Sequence, residues 1–451
     1  MNSQAPAPSL RLDTGRAQIL SLAMPIAFSL LVPQFNYMVN SLFLSRLGPG
    51  HLGAAGITGV YYLIFASIGH GLNSGLQALI SRRAGQDRVD DIGRLSIQSV
   101  YLGLLLAAGG IAVTYVAAPI LLKGAVEEGL YVQSMEFLRI RIWGLPFLYL
   151  YLMRNAILVG TNESRLLVWG TAAETVSNVV LDYGLIFGRL GMPELGFNGA
   201  AYASIAAEAI GLVTVLLVVQ RRGVAKRLRL FNDWRSRPDL MRQILLQSSP
   251  LIAQFTISIF SWEYFFILVS HHGRTALDVT QTMRVVIGFM GVMVWSFAST
   301  TNTMVSNVIG QGRDDLVPGL LRRITGMSLA PAVAIALPLL AFPSFFLERV
   351  VPDPDFVREG VPVLRVVAVA MVLMSVAAIW LNAVTGTGNT RVNLMIELIN
   401  AAVYSVYVYV VLESLRLPTY VGWMSEWVYW TGMFLLAWSY IRSGRWKGKV
   451  V

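Results

Sequence analysis

The chain has 451 residues, of which 55% are hydrophobic and only 13% charged, with no Cys. Average soluble chains carry roughly 25% charged residues, so this composition excludes a soluble enzyme, a disulfide-built secreted domain, a disordered scaffold and any thiolate chemistry. With a mean hydropathy of +0.61, the net charge of +10 points to membrane orientation before nucleic acid.

A membrane helix needs about 20 mostly apolar residues. That template predicts twelve spans, at 17–44, 52–80, 95–122, 132–158, 166–188, 198–220, 244–270, 280–308, 324–346, 362–384, 392–413 and 420–441. Residues 1–16 are polar and Pro-rich, and no small-residue cleavage site follows the first apolar run. That run is too long for a signal-peptide core and is read as a retained helix. It carries Asn40, with Pro25 and Pro33 positioned to bend it where neighbouring helices or a cavity satisfy the freed carbonyls. The second span holds Asn73 and Gln77 one turn apart.

The fifth span reads TAAETVSNVVLDYGLIFG. Glu174, Asn178 and Asp182 recur at i, i+4, i+8 and share one helix face. Ionisable residues at membrane depth are costly and are functional candidates by default. Two carboxylates and a carboxamide on one stripe offer oxygen ligands for a hard cation such as Na⁺, or a protonatable pair. The alternative for Glu174, nearer the span's end, is snorkelling or pairing with a loop Arg. On the sixth span Ser204 and Glu208 lie one turn apart.

After six spans comes RRGVAKRLRLFNDWRSRPDLMRQ (221–243), the longest basic stretch. It is read as a linker obeying the positive-inside rule, with an anionic-lipid contact as the alternative. The lobes are therefore expected at 1–222 and 244–451, joined by 223–243. In the second half, Glu263 and Arg284 on neighbouring spans can form a buried pair. Trp262, Tyr264, Phe265, Phe266, Trp295 and Phe297 can wall an apolar cation or simply face lipid. Asn302 on the eighth span joins Glu263, Arg284, Trp262, Asn73 and Gln77 as candidate cavity residues. No His cluster, HExxH, P-loop or Gly-rich nucleotide motif appears, so ATP-driven transport is not expected.

Sorting the 35 Lys and Arg by loop puts 24 on the side of both termini, nine on the other, and Arg284 and Arg365 within spans. Arg139 and Arg141 fall in the nine. That asymmetry predicts cytoplasmic termini.

The sequence also repeats. At an offset of 225, Ser45, Gly48 and Leu52 meet Ser270, Gly273 and Leu277, while Ser81, Gly85, Gln86 and Arg88 meet Ser306, Gly310, Gln311 and Arg313. At 226, GTNESR (160–165) meets GTGNTR (386–391). Six spans per repeat preserves orientation, which predicts two parallel lobes, a transporter plan. The matched motifs suit helix–turn–helix corners, where Gly permits the turn and Asn, Ser or Thr can cap. Glu174, Asn178 and Asp182 correspond to Asn400, Tyr404 and Val408, so the stripe's carboxylates are expected in the first lobe alone.

With SRLGPGHLGAAGIT (45–58), NVVLDYGLIFG…MPELGFNGAAYAS (178–204), SNVIGQGR (306–313) and GTGNTR (386–391), the chain resembles the multidrug and toxic compound extrusion (MATE) family over nearly its whole length. The resemblance implies an all-α integral membrane protein of twelve transmembrane helices in two six-helix lobes. It further implies a Na⁺- or H⁺-coupled antiporter that exports organic, often cationic, compounds by rocking the lobes. It places the cation site on Asn178 and Asp182 of the fifth helix and a hydroxyl, Ser204, on the sixth. A family Asp on the first helix falls on Asn40, a departure that removes one negative charge. A site with one carboxylate should bind Na⁺ more weakly unless Glu174 supplies the second, and Asn40 cannot carry a proton. No cofactor beyond the coupling ion is expected. The partners expected are an organic small molecule, the cation and membrane lipid, without nucleic acid or ATP, for a monomer in the inner membrane. A lipid-linked oligosaccharide flippase is the alternative transporter. It should line its cavity with several cations for pyrophosphate, and only Arg284 and Arg365 are assigned to the spans, with Arg139, Arg141 and Arg154 of 132–158 counted toward the flanking sides. A structural membrane subunit is the non-transport alternative.

Overall fold

A computed structural model describes residues 9–124 and 127–448, the side chains of Tyr37, Pro49 and Leu52 aside. The first eight residues and Lys449, used in the sequence reading, lie outside the described residues. Long apolar runs with internally satisfied backbone are the form a membrane-spanning chain takes, and no β-strand forms among the described residues. Among the described residues, twelve helical rods stand where twelve spans are expected. They are α1 (Arg16–Ser45), α2 (Pro49–Gly85), α3 (Val89–Leu122), α4 (Glu128–Gly160), α5 (Leu167–Phe187), α6 (Gly196–Arg221), α7 (Pro238–Ser270), α8 (Arg274–Gly310), α9 (Val317–Ala341), α10 (Pro354–Gly386), α11 (Thr390–Ser414) and α12 (Ser425–Arg442).

Ten of the twelve are long and apolar enough to cross a membrane on composition alone. The other two, α5 and α12, have 21 and 18 residues, about 31 and 27 Å at 1.5 Å per residue, and both carry acidic side chains. Several helices run past their apolar windows: α3 starts at Val89 and α10 at Pro354, because polar end turns still close backbone hydrogen bonds. The expected ninth span stops at Ala341, and a short helix, Pro343–Val350, follows.

The repeat is written into the backbone. Gly48 and Gly273, Asp87 and Gly312, Asn162 and Gly388, and Gly223 and Gly448 all have positive φ. Each pair is separated by 225 or 226 residues. Asp87, Gly312, Asn162 and Gly388 follow the ends of α2, α8, α4 and α10, so the matched motifs are helix–turn–helix corners whose left-handed residue is kept in both halves.

The chain divides into two compact units, one of Phe28–Ser248 with the described residues before Leu12, the other of Leu12–Ala27 with Ser249–Val451. These limits differ from the expected lobes at both starts. In unit 2, Leu12 donates its N–H to Asn307 Oδ1 at 3.0 Å, and Gln311 Nε2 donates to the Leu12 carbonyl at 3.0 Å. Ile19, Leu22 and Ala23 of α1 are fully buried in that unit's core. In unit 1, the first turns of α7 pack so closely on α2 that a Cβ on Gly75 would lie 2.9 Å from the Ser248 Cα.

The basic connection is strapped to unit 1 rather than hanging free. Leu228 and Leu230 are fully buried. Gln98 of α3 clamps the strand-like run after them, donating to the Arg235 carbonyl and accepting from Arg237 N–H, both at 2.9 Å. Tyr101 donates to the Trp234 carbonyl at 2.7 Å. Asp233 accepts from the Arg237 side chain and from Arg235 N–H, which holds its carboxyl below the usual range. Hydrophobic and backbone contacts fix this segment, and its charges alone did not announce them.

Tight helix contact in unit 1 centres on α5 and α6. A Cβ on Gly199 would stand 2.6 Å from the Leu185 carbonyl oxygen, which backbone cannot yield. Gly199→Val is expected to cost about 1–3 kcal/mol as an overpacked seam, read as a lower midpoint of thermal unfolding in detergent. Gly109→Ala, where a Cβ meets nothing within 4 Å, should leave the midpoint unchanged.

Candidate ion site

In unit 1, α1 and α5 bring their amides together: Asn40 Nδ2 donates to Asn178 Oδ1 at 3.2 Å. One turn along α5, Asp182 is 0% exposed, and neither carboxylate oxygen has a hydrogen-bond partner. Asn40 Oδ1, Asn178 Nδ2 and, one turn earlier on α1, Asn36 Oδ1 are likewise buried without partners. Phe43 packs at 5.7 Å on Phe187 and fixes the end of α1 against α5. The register of the sixth helix follows from its close approaches to α5. Gly170 faces Val215, Glu174 faces Gly211 and Leu185 faces Gly199, so α5 and α6 run antiparallel with Ser204 level with Asp182.

A buried ionised carboxylate without a partner is several kcal/mol out of place. The arrangement therefore has two chemical resolutions: a proton on Asp182, or a cation shared with the free acceptor oxygens of Asn40 and Asn36. Asn178, expected as a ligand, already accepts from Asn40 through its Oδ1. Asn36 was missed in the sequence, although its i, i+4 spacing to Asn40 puts both amides on one face of the first helix.

Glu174 belongs elsewhere. It stands eight residues, about 12 Å, from Asp182 along the helix, and its electrostatic neighbours are Glu208 and Arg141. Arg141 and Glu208 form a bidentate bridge, with contacts of 3.1 and 2.5 Å, and the guanidinium lies 4.0 Å over the Tyr62 ring. This corrects the sorting of Arg141 into an outer loop: it is thirteen residues inside α4, neutralised by a carboxylate. The pair fits because residue 144 is Gly; a Cβ there would strike Arg141 and Glu208.

The remaining candidates divide by unit. In unit 2, Glu263 and Arg284 pair, with Arg284 also 5.0 Å over Trp262 and 4.2 Å over Phe266. Glu263 is thus compensated. Asn302, 1% exposed, is eighteen residues from Arg284 on α8, about 27 Å, and its backbone abuts Gly386. It does not join that pair. In unit 1, Gln77 is buried and Asn73 keeps a buried Oδ1 without a partner.

The MatE family profile matches residues 25–184 and again 250–411. The chain belongs to the MatE family. The double match falls once in each half, as the internal repeat requires, and membership makes the chain a transporter rather than an enzyme. Among curated relatives it is 24% identical over 389 residues, 84% of each chain, to a Synechocystis protein named "Probable multidrug resistance protein NorM". A Thermotoga maritima protein of the same name is 21% identical over 453 residues, 97% of this chain and 94% of that one. Among solved structures, MATE in complex with MaL6 superposes with a TM-score of 0.87 at 17% identity, covering 99% of this chain and 100% of that one. A MOP superfamily transporter from Pyrococcus furiosus gives 0.87 at 17% identity, covering 100% of both. These superpositions establish the two-lobe, twelve-helix fold of a multi-pass membrane protein.

Removing one partner of a buried pair strands the other charge, at a cost of about 3–5 kcal/mol, whereas replacing both with apolar groups is often neutral. Arg141→Met alone should therefore lower thermal stability sharply. The double replacement Arg141→Met with Glu208→Met should recover most of it, read by the same unfolding assay.

Proposed function

We propose that this MatE transporter is an inner-membrane antiporter, with cytoplasmic termini, that exchanges a monovalent cation for an organic, cationic or amphipathic compound by alternating access. The observation that carries this reading is Asp182, fully buried with both oxygens unpartnered beside Asn178 and Asn40. Such a group is stable only when neutralised, so its occupation by H⁺ or Na⁺ is coupled to whichever conformation encloses it. An ion does work only through different affinity for the two states, and a carboxylate that is solvated in one state and enclosed in the other supplies that difference. The relatives' names, which speak of multidrug resistance, support an exported drug-like substrate. Expected partners are that substrate, the coupling ion and lipid, with one chain supplying both lobes.

With Asn40 where a second carboxylate would stand, the site carries a single charge. One ion per cycle neutralises it, and Glu174, engaged near Arg141 and Glu208, does not supply a second ligand. Arg141 and Arg284 are each neutralised by a Glu, and Arg154, buried against the Phe231 ring, is one cation where the flippase reading calls for several. Ser204 is the hydroxyl ligand in this scheme.

Asp182→Asn should abolish efflux of a fluorescent organic cation from proteoliposomes driven by either an imposed Na⁺ or an imposed pH gradient. The variant should unfold no earlier than the parent, because the buried charge is removed. Unchanged ion-driven efflux in the variant would overturn the assignment. The gradient that drives the parent protein identifies the ion.

A further inference from the structure

Unit 2 buries a carboxylate that the repeat comparison passes over. Glu397 lies on α11, three residues before Asn400, the counterpart of Glu174, and is 1% exposed. Tyr429 of α12 holds its hydroxyl 2.9 and 3.1 Å from the two carboxylate oxygens. The Gln254 amide of α7 hydrogen-bonds to the same carboxylate. Beyond Tyr429, its oxygen lies 3.2 Å from Ser258 Oγ, and either hydroxyl can donate. Three helices therefore meet in one chain, Glu397–Tyr429–Ser258, which ends on a half-buried residue.

No Lys, Arg or His among the described residues pairs with Glu397. The titratable groups facing this chain are Tyr429 itself, Glu426 across it on α12, and Tyr404 of α11, whose ring lies 5.7 Å from that of Tyr429. Glu426 is held by Trp430 Nε1 at 2.9 Å rather than by a cation. From α7 come only the neutral Gln254 and Ser258. On α11 itself, one turn before Glu397 and on the same face, Asn393 is 1% exposed and gives its amide to Thr385 Oγ1 of α10 at 2.6 Å. Its Oδ1 is buried without a partner, an acceptor short of a donor beside the carboxylate. The seam between α11 and α12 is closed at Gly432, where a Cβ would run into Asn400 Oδ1, so the open end of the chain is at Ser258.

We propose that Glu397 is a proton-binding site in unit 2, separate from the Asp182 site, and that it loads and releases its proton through Tyr429 and Ser258. A buried carboxylate without a counter-charge is costly, and here it faces donors, a phenol and an amide, which occupy the lone pairs a metal cation would need. A proton suits the chain in both states. With Glu397 ionised, Tyr429 donates to it. With Glu397 protonated, the carboxyl O–H donates to the Tyr429 oxygen, and Tyr429 turns its own O–H to Ser258. The proton enters or leaves at Ser258, and no heavy atom has to move. Its consequence for transport rests on the antiport reading above: each unit would carry one carboxylate that binds a transported ion, and the exchange would move more than one ion per substrate.

Infrared difference spectra of the purified full chain, titrated from alkaline to acidic pH, test this without requiring transport. A protonated-carboxyl band should appear that is lost in Glu397→Gln, shifted in Tyr429→Phe and retained in Asp182→Asn. A spectrum unchanged by Glu397→Gln overturns the proposal. If that variant does not fold, Tyr429→Phe decides: a shifted band supports the site and an unshifted set overturns it. Should neither ion gradient drive the parent protein, the antiport reading fails while the infrared result still stands or falls by itself. Where a pH gradient does drive transport, the proton-to-substrate ratio from flux-reversal measurements should fall by one in Glu397→Gln.

Discussion

The price of charge in a membrane interior governs this structure. Inside a twelve-helix bundle there is no bulk water to solvate an ionised side chain, so every carboxylate on a spanning helix must find a cation, a set of donors or a proton. The protein solves that problem in different ways at different carboxylates, and the differences separate scaffold from site. Glu208 is held bidentately by Arg141, and Glu263 by Arg284 with aromatic rings against the guanidinium. These groups are compensated within the fold itself. Asp182 has neither cation nor donor among the described residues, which is why the proposed coupling ion is assigned to it.

Glycine makes these arrangements possible at close range. Gly144 leaves room for the Arg141–Glu208 bridge, and Gly211 leaves room for Glu174 to lie against α6. Small residues at such crossings let membrane helices approach closely enough for polar groups to meet. The α5–α6 seam thus does two jobs: its close packing sets the register that brings Ser204 level with Asp182, and it keeps Glu174 two turns away from them. A looser seam would blur which carboxylate answers to which ion.

Much of the architecture is legible in the amino-acid order because membrane helices are specified by length and hydropathy, and because the repeat doubles each signal. The corners at Asp87 and Gly312, or Asn162 and Gly388, recur at one spacing in sequence and in backbone dihedral. The Asn178–Asp182 spacing likewise marks a shared face from the amino-acid order alone. What is not legible is pairing across helices. Arg141 lies inside the expected span 132–158 yet counts as an outer charge when basic residues are sorted by side, and only its contact with Glu208 shows what compensates it within α4. Glu397 escaped notice because position-by-position comparison of the halves asks what replaced Asp182, and finds Val408, while the second unit keeps its carboxylate on another turn. The basic connection read as solvated by its charges, yet Leu228, Leu230 and the Gln98 clamp hold it down.

The central claim is that an ion neutralises Asp182 and is released when an organic substrate is exchanged. Ion release by the purified protein on addition of tetraphenylphosphonium, followed with a pH dye in weak buffer and by retained radioactive Na⁺, tests it most directly. Release of one ion species by the parent protein, diminished in Asp182→Asn, is the predicted result. Binding of the compound with neither ion displaced, or with the same release from Asp182→Asn, would contradict it.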